Sequence, residues 1–128
     1  MRLWVGLGVL VISLVVGPIG VGDTALPVER YSDAELLQNW TLARCLSRAF
    51  PGSPLEPDAA AAGAGYLERG SVEADAYTES ARLADRFLSR TYASQSGQPL
   101  QTMKCIDLLH SAELDSIVKR YAKKIRRK

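Results

Sequence analysis

Histidine occurs once and cysteine twice in the 128 residues. Hydrolytic chemistry asks for a nucleophile or a metal-bound water together with a tuned base. With so few soft or imidazole ligands, a metal site would have to be built mainly from carboxylates. Asp107 and His110 stand at i, i+3 and are short of a site by themselves; His110 reads as a helix-end or packing residue. A Cys105–His110 nucleophile–base pair is also excluded: a separation of five residues puts the two side chains about 140° apart around a helix. No phosphate-binding glycine loop is present, and Gly63-Ala64-Gly65 lies in an alanine run with no strand before it. No stretch alternates with period two, so strands are not expected. There is no internal repeat, and the length allows one domain.

Charge is missing altogether from Leu3 to Val16, behind Met1-Arg2. One positive charge followed by such an apolar run has the anatomy of a secretory signal peptide, expected over residues 1–22. Gly17-Pro18 breaks the run, and Gly20 and Gly22 supply small residues for a cut before Asp23. An uncut membrane anchor is the alternative. Either reading takes the remainder of the chain out of the cytoplasm.

Residues 23–118 carry 8 basic and 14 acidic side chains, whereas Lys119, Arg120, Lys123, Lys124, Arg126, Arg127 and Lys128 crowd the end. The near-neutral total thus hides an acidic body with a basic terminus. Export argues against nucleic acid as its partner. A solvated helix end that suits the negative pole of the helix dipole is preferred to contact with anionic lipid. In an oxidising compartment Cys45 and Cys105 have one possible pairing, a disulfide.

Helical signals follow one another along the mature chain. Residues 23–31 read as an extended leader. Ser32-Asp33-Ala34-Glu35 is a capping box opening a helix to about Ala49. Asn39-Trp40-Thr41 matches a glycosylation sequon but falls inside that helix. Asp58 is expected to cap a second helix rich in alanine and glycine, stopped by Gly70. Ser71 is expected to cap a third, running to Tyr92 with Tyr77, Ala81, Ala84, Phe87, Leu88 and Tyr92 on one side. Glu73, Asp75 and Glu79 read as a solvated acidic face. Ser94-Gln95-Ser96-Gly97-Gln98-Pro99 is a polar, uncharged loop. Leu100–His110 reads as a fourth helix with Met103, Ile106, Leu109 and His110 along a face. Ser111 caps a fifth, with Leu114, Ile117, Val118, Tyr121, Ala122 and Ile125 as its apolar stripe. The expected fold is all-α, a compact bundle of about five helices in which one disulfide ties the first to the fourth.

Three blocks carry a resemblance: Asn39-Trp40-Thr41-Leu42-Ala43-Arg44-Cys45-Leu46, Gly65-Tyr66-Leu67-Glu68-Arg69-Gly70-Ser71, and the run from Met103 to Asp115 containing Lys104-Cys105-Ile106-Asp107. In order and spacing they resemble immunity proteins that pair with amidase effectors of the type VI secretion system, the fourth amidase effector–immunity family. The resemblance spans most of residues 32–121, making residues 32–128 a helical immunity domain. It implies a periplasmic, non-enzymatic protein with no cofactor or metal. Its partner would be a papain-like Cys–His amidase that cuts peptidoglycan between D-glutamate and meso-diaminopimelate. It further implies a homodimer holding two effectors, with a protruding loop in the catalytic groove. Ser94, Gln95, Ser96, Gly97 and Gln98 match that loop. The competing readings are an exported carrier of a small apolar ligand, seated beside the small-residue second helix, and an enzyme using Asp107 and His110.

Overall fold

The computed structural model describes residues 26–125. The expected signal peptide and the last three basic residues lie outside them. Among the described residues there are five α-helices, α1 (Asp33–Ala49), α2 (Leu55–Arg69), α3 (Ala74–Leu88), α4 (Gln101–Leu109) and α5 (Ala112–Ile125), and a single 3-10 turn, Pro27–Arg30, where an extended leader was expected; Pro27 at its start presets the φ that such a turn needs. Among the described residues there is no strand, and no helix is long and apolar enough to cross a membrane. The all-α expectation is met.

Helix α1 is the axle. It packs against each of the other four helices, while α3 also touches α4 and α5. Its N terminus is closed as the sequence predicts: the Glu35 amide donates to Ser32 Oγ, and the Ser32 amide donates to Glu35 Oε2 at 2.7 Å. The amide bond holds the Glu35 carboxyl below its ordinary pKa. Being central, α1 buries residues on more than one side: Leu36, Leu37, Thr41, Ala43, Cys45 and Ala49. Thr41 is fully buried and satisfies its hydroxyl by donating to the Leu37 carbonyl at 2.7 Å.

The second helix starts earlier than expected. Pro57 sits within its first turn, where a missing amide costs nothing, so the helix begins at Leu55 and Asp58 lies inside it. The Glu56 carboxylate accepts from the Gly52 amide at 2.6 Å and closes the preceding turn. The small residues bring α2 close to α1: Ala59 and Gly63 are buried, with Gly63 beside Ala43 and Trp40. Gly70 ends the helix, yet its backbone is extended rather than left-handed. Its lack of a side chain serves a close approach instead, since a Cβ there would collide with the Tyr77 hydroxyl.

The third helix departs from expectation at both ends. Ser71 does not cap it; the Ser71 amide donates to Asp33 Oδ1 at 2.7 Å, tying this corner to the start of α1. Helix α3 begins at Ala74 and stops at Leu88, so Tyr92 lies beyond it. Its inner face is Ala76, Ser80, Leu83, Ala84 and Phe87. Helix α5 follows the predicted stripe, with Leu114, Ile117, Val118 and Tyr121 buried, and Ser111 Oγ accepts the Leu114 amide at 3.1 Å.

The fourth helix is rotated relative to the sequence reading. Lys104, Cys105 and Leu108 face inward, whereas Met103 and Ile106 are 49% and 47% exposed. The reason is covalent. Cys105 is bonded to Cys45 with both residues fully buried, as the parity of cysteines implied. That bond clamps α4 onto α1 one turn before its C-terminal end and fixes which side of the helix looks in.

Candidate functional site

The connection from α3 to α4, residues 89–100, carries Ser94–Gln98 and has two unlike limbs. Its first limb is held against neighbouring helices. The Ser89 amide donates to Asp85 O and the Arg90 amide to Phe87 O, closing α3. The Arg90 guanidinium lies 3.6 Å above the centre of the Phe87 ring and 3.8 Å from Glu113 Oε1 of α5. Two residues on, the Tyr92 hydroxyl donates to Asp107 Oδ2 of α4 at 2.7 Å. The carboxylate acceptor raises the Tyr92 pKa above its ordinary value.

The tip is built by its own side chains. The Ser94 and Ser96 hydroxyls are 2.8 Å apart, and the Gln98 amide donates to Ser96 Oγ at 3.3 Å. The Gly97 amide reaches back to the Ser94 carbonyl at 3.4 Å, with φ at +74°, a conformation that suits glycine. Ser94 is half-buried, while Gln95, Ser96, Gly97 and Gln98 are exposed. The sequence-predicted residues thus form one turn at the surface. The second limb ends at Leu100, which adopts a left-handed conformation with φ of 53° and opens α4.

Beside the tip lies an open groove of about 630 Å³, lined by Phe50, Gln98, Pro99, Leu100, Met103 and Ile106 together with Gln101 and Thr102. None of these side chains is charged. The sequence reading had turned Met103 and Ile106 inward and so missed this surface.

The other candidates fall elsewhere. Asp107 is engaged by Tyr92. His110 is exposed and its amide closes the end of α4 on the Ile106 carbonyl. Among the described residues no group of three His, Cys, Asp or Glu side chains is placed to hold a metal ion. Glu79, expected to be solvated, instead accepts the Tyr121 hydroxyl at 2.7 Å and pairs with Arg120 at 3.0 Å, joining α3 to α5. That bond pushes the Tyr121 pKa up to about 12. Lys119 pairs with Asp115 at 2.7 Å, so two cations of the basic terminus bind within the domain. Of the small residues of α2 that suggested ligand space, Ala59 and Gly63 are taken up by α1, while Ala60, Ala61, Ala62 and Ala64 are exposed.

No curated protein sequence matches. Residues 35–118 match the family model Tai4, described as type VI secretion system (T6SS) amidase immunity protein. A chain in the structure of the effector–immunity system Tae4/Tai4 from Salmonella typhimurium is 33% identical, with a TM-score of 0.71 over 75% of this chain and 95% of that one. A chain of the Tae4–Tai4 effector–immunity complex from Enterobacter cloacae shares the fold at 20% identity, with a TM-score of 0.65, covering 74% and 97% of the two chains. A third, described under type VI-secreted toxins and self-resistance proteins of Serratia marcescens, is 21% identical with a TM-score of 0.69, covering 79% and 83%. The matched span runs from the start of α1 through the first half of α5, including the disulfide and the α3–α4 loop, and the chain belongs to the family of type VI secretion system amidase immunity proteins.

Proposed function

We propose that this protein is exported to the periplasm, where it binds a cognate type VI-secreted peptidoglycan amidase and blocks it by placing the Ser94–Gln98 turn in its catalytic groove. It protects the producing cell and its siblings, and it catalyses nothing itself. The observation that carries this reading is a surface turn without charge, anchored at both ends on the frame of an immunity family. Uncharged polar side chains hydrogen-bond a groove without burying an unpaired charge. An anchored turn loses less conformational freedom on binding than a free one. The relatives were solved as Tae4–Tai4 complexes, which supports an amidase as the partner. The target bond in this reading is D-glutamate to meso-diaminopimelate, cut by a papain-like Cys–His enzyme, and the assembly is a homodimer with two effectors. In this reading segment 1–22 is the signal peptide that directs export and is cut off before Asp23.

The test is peptidoglycan cleavage by the cognate amidase with and without equimolar protein, alongside a sizing column. Inhibition and a co-eluting complex are expected. Replacing Ser94–Gln98 by a shorter glycine-rich turn is expected to abolish inhibition with the thermal unfolding midpoint retained. Undiminished cleavage by the wild-type mixture refutes the function; unchanged inhibition by the loop variant refutes the role of the loop.

A further inference from the structure

Lys104 is 5% exposed, in the most buried part of α4. Burying an ammonium costs free energy that an apolar side chain of similar volume avoids. No carboxylate pairs with Lys104 among the described residues. Its contacts go instead to the start of the α3–α4 loop. Nζ donates to the carbonyl of Leu88, the last residue of α3, at 3.2 Å, and stands 5.7 Å from the centre of the Tyr92 ring. The carbonyl lies at the negative pole of α3, and the ring face is electron-rich, so each attracts a cation. One turn further along α4, Asp107 takes the Tyr92 hydroxyl. Lys104 and Asp107 stand at i, i+3, on neighbouring positions of one helix face. Together they hold both the exit of α3 and the aromatic residue two positions before the turn.

We infer that Lys104 is the positioning residue of the inhibitory loop, a buried cation that joins the disulfide-fixed helix α4 to the limb from which Ser94–Gln98 projects. This rests on the proposed role of that loop. The mechanical chain is short. Cys105 locks α4 to α1; the adjacent Lys104 carries that fixed position to Leu88 and Tyr92; and the turn begins at Ser94. A loop that occupies its binding-competent shape only part of the time has its affinity reduced by that fraction. Lys104 keeps the fraction high without touching the amidase.

The experiment uses the disulfide-bonded mature chain, with Lys104→Met, which keeps the stem and removes the charge. Backbone NMR order parameters for Thr91–Gln98 are expected to fall from the rigid range, about 0.85, to below about 0.6, while α1 and α3 stay rigid. The inhibition constant against the cognate amidase is expected to rise at least ~10-fold, as for a roughly tenfold loss of the competent population. Tyr92→Phe, which removes only the bond to Asp107, provides a milder second variant with the same direction of effect should K104M fail to fold. An unchanged loop with unchanged inhibition shows that Lys104 only packs and overturns the inference. A mobile loop with unchanged inhibition also overturns it, yet leaves the proposed function standing whenever loop replacement still abolishes inhibition. If loop replacement itself has no effect, the loop's role fails and the positioning role fails with it.

Discussion

Removing the Cys45–Cys105 bond is the perturbation whose size follows most directly from the structure. The cysteines are 60 residues apart in sequence. A cross-link closing a loop of that length removes unfolded-state entropy worth about 4 kcal/mol at 25 °C. For a domain of this size each kcal/mol moves the unfolding midpoint by about 5 °C, so the expected fall is about 20 °C. Two versions separate the contributions. Reduction of the wild type keeps both sulfurs packed and releases only the constraint. Cys45→Ala with Cys105→Ala also leaves space at two fully buried positions and costs about 1 kcal/mol more. Thermal unfolding followed by far-UV circular dichroism on oxidised, reduced and double-alanine protein measures all three. Urea unfolding should show a larger m-value for the uncross-linked forms, because their unfolded chains expand. A midpoint within about 5 °C of the oxidised protein in both forms would falsify the reasoning: the helices would then be held by packing alone, with the bond adding little.

Three further outcomes are expected. Ser32→Ala removes the acceptor for the Glu35 amide and costs about 1 kcal/mol, read from a urea midpoint; a neutral result means that water caps α1 equally well. Gly70→Ala drives a methyl group into the Tyr77 hydroxyl and costs about 1–3 kcal/mol; calorimetry showing no loss means that the Tyr77 corner yields freely. Tyr121 has its folded pKa raised from 10.0 to about 12 by Glu79. The contribution of a raised group is complete below the unfolded value and is lost as pH climbs through the folded one. Wild-type stability is therefore expected to drop between pH 10 and pH 12 more steeply than that of Tyr121→Phe. Parallel urea midpoints across that range for the two proteins mean that the hydroxyl–carboxylate bond does not form in solution.

Local chemistry was legible wherever neighbours in sequence settle it. The Ser32–Glu35 box, the Ser111 cap and the stripe Leu114, Ile117, Val118, Tyr121 all depend on residues within a turn or two of one another. The Ser94–Gln98 turn was readable for the same reason, since glycine and small polar side chains close it internally. Failures came where a distant residue outbid the local signal. Ser71 looked like a cap, but Asp33, 38 positions away, takes its amide. Tyr92 continued the spacing of α3, but Asp107 of α4 draws it out of the helix register. The rotation of α4 was recoverable in principle: if Cys105 must face Cys45, then Leu108, three residues on, is buried and Met103 and Ile106 are turned away.

By itself the sequence determined that the chain is helical, where most helices begin, that one disulfide closes it, and which segment stands out as an uncharged turn. These follow from periodicity, caps, cysteine parity and turn chemistry, each of which acts over a short span or admits a single pairing. Only the tertiary structure decided that the Lys104 amine meets the Leu88 carbonyl and the Tyr92 ring at the start of the loop, and that Phe50 from the end of α1 meets Met103 and Ile106 in one groove. Those arrangements depend on how whole helices are rotated against one another. A cross-link and a few long-range hydrogen bonds set that rotation, and no local pattern encodes it.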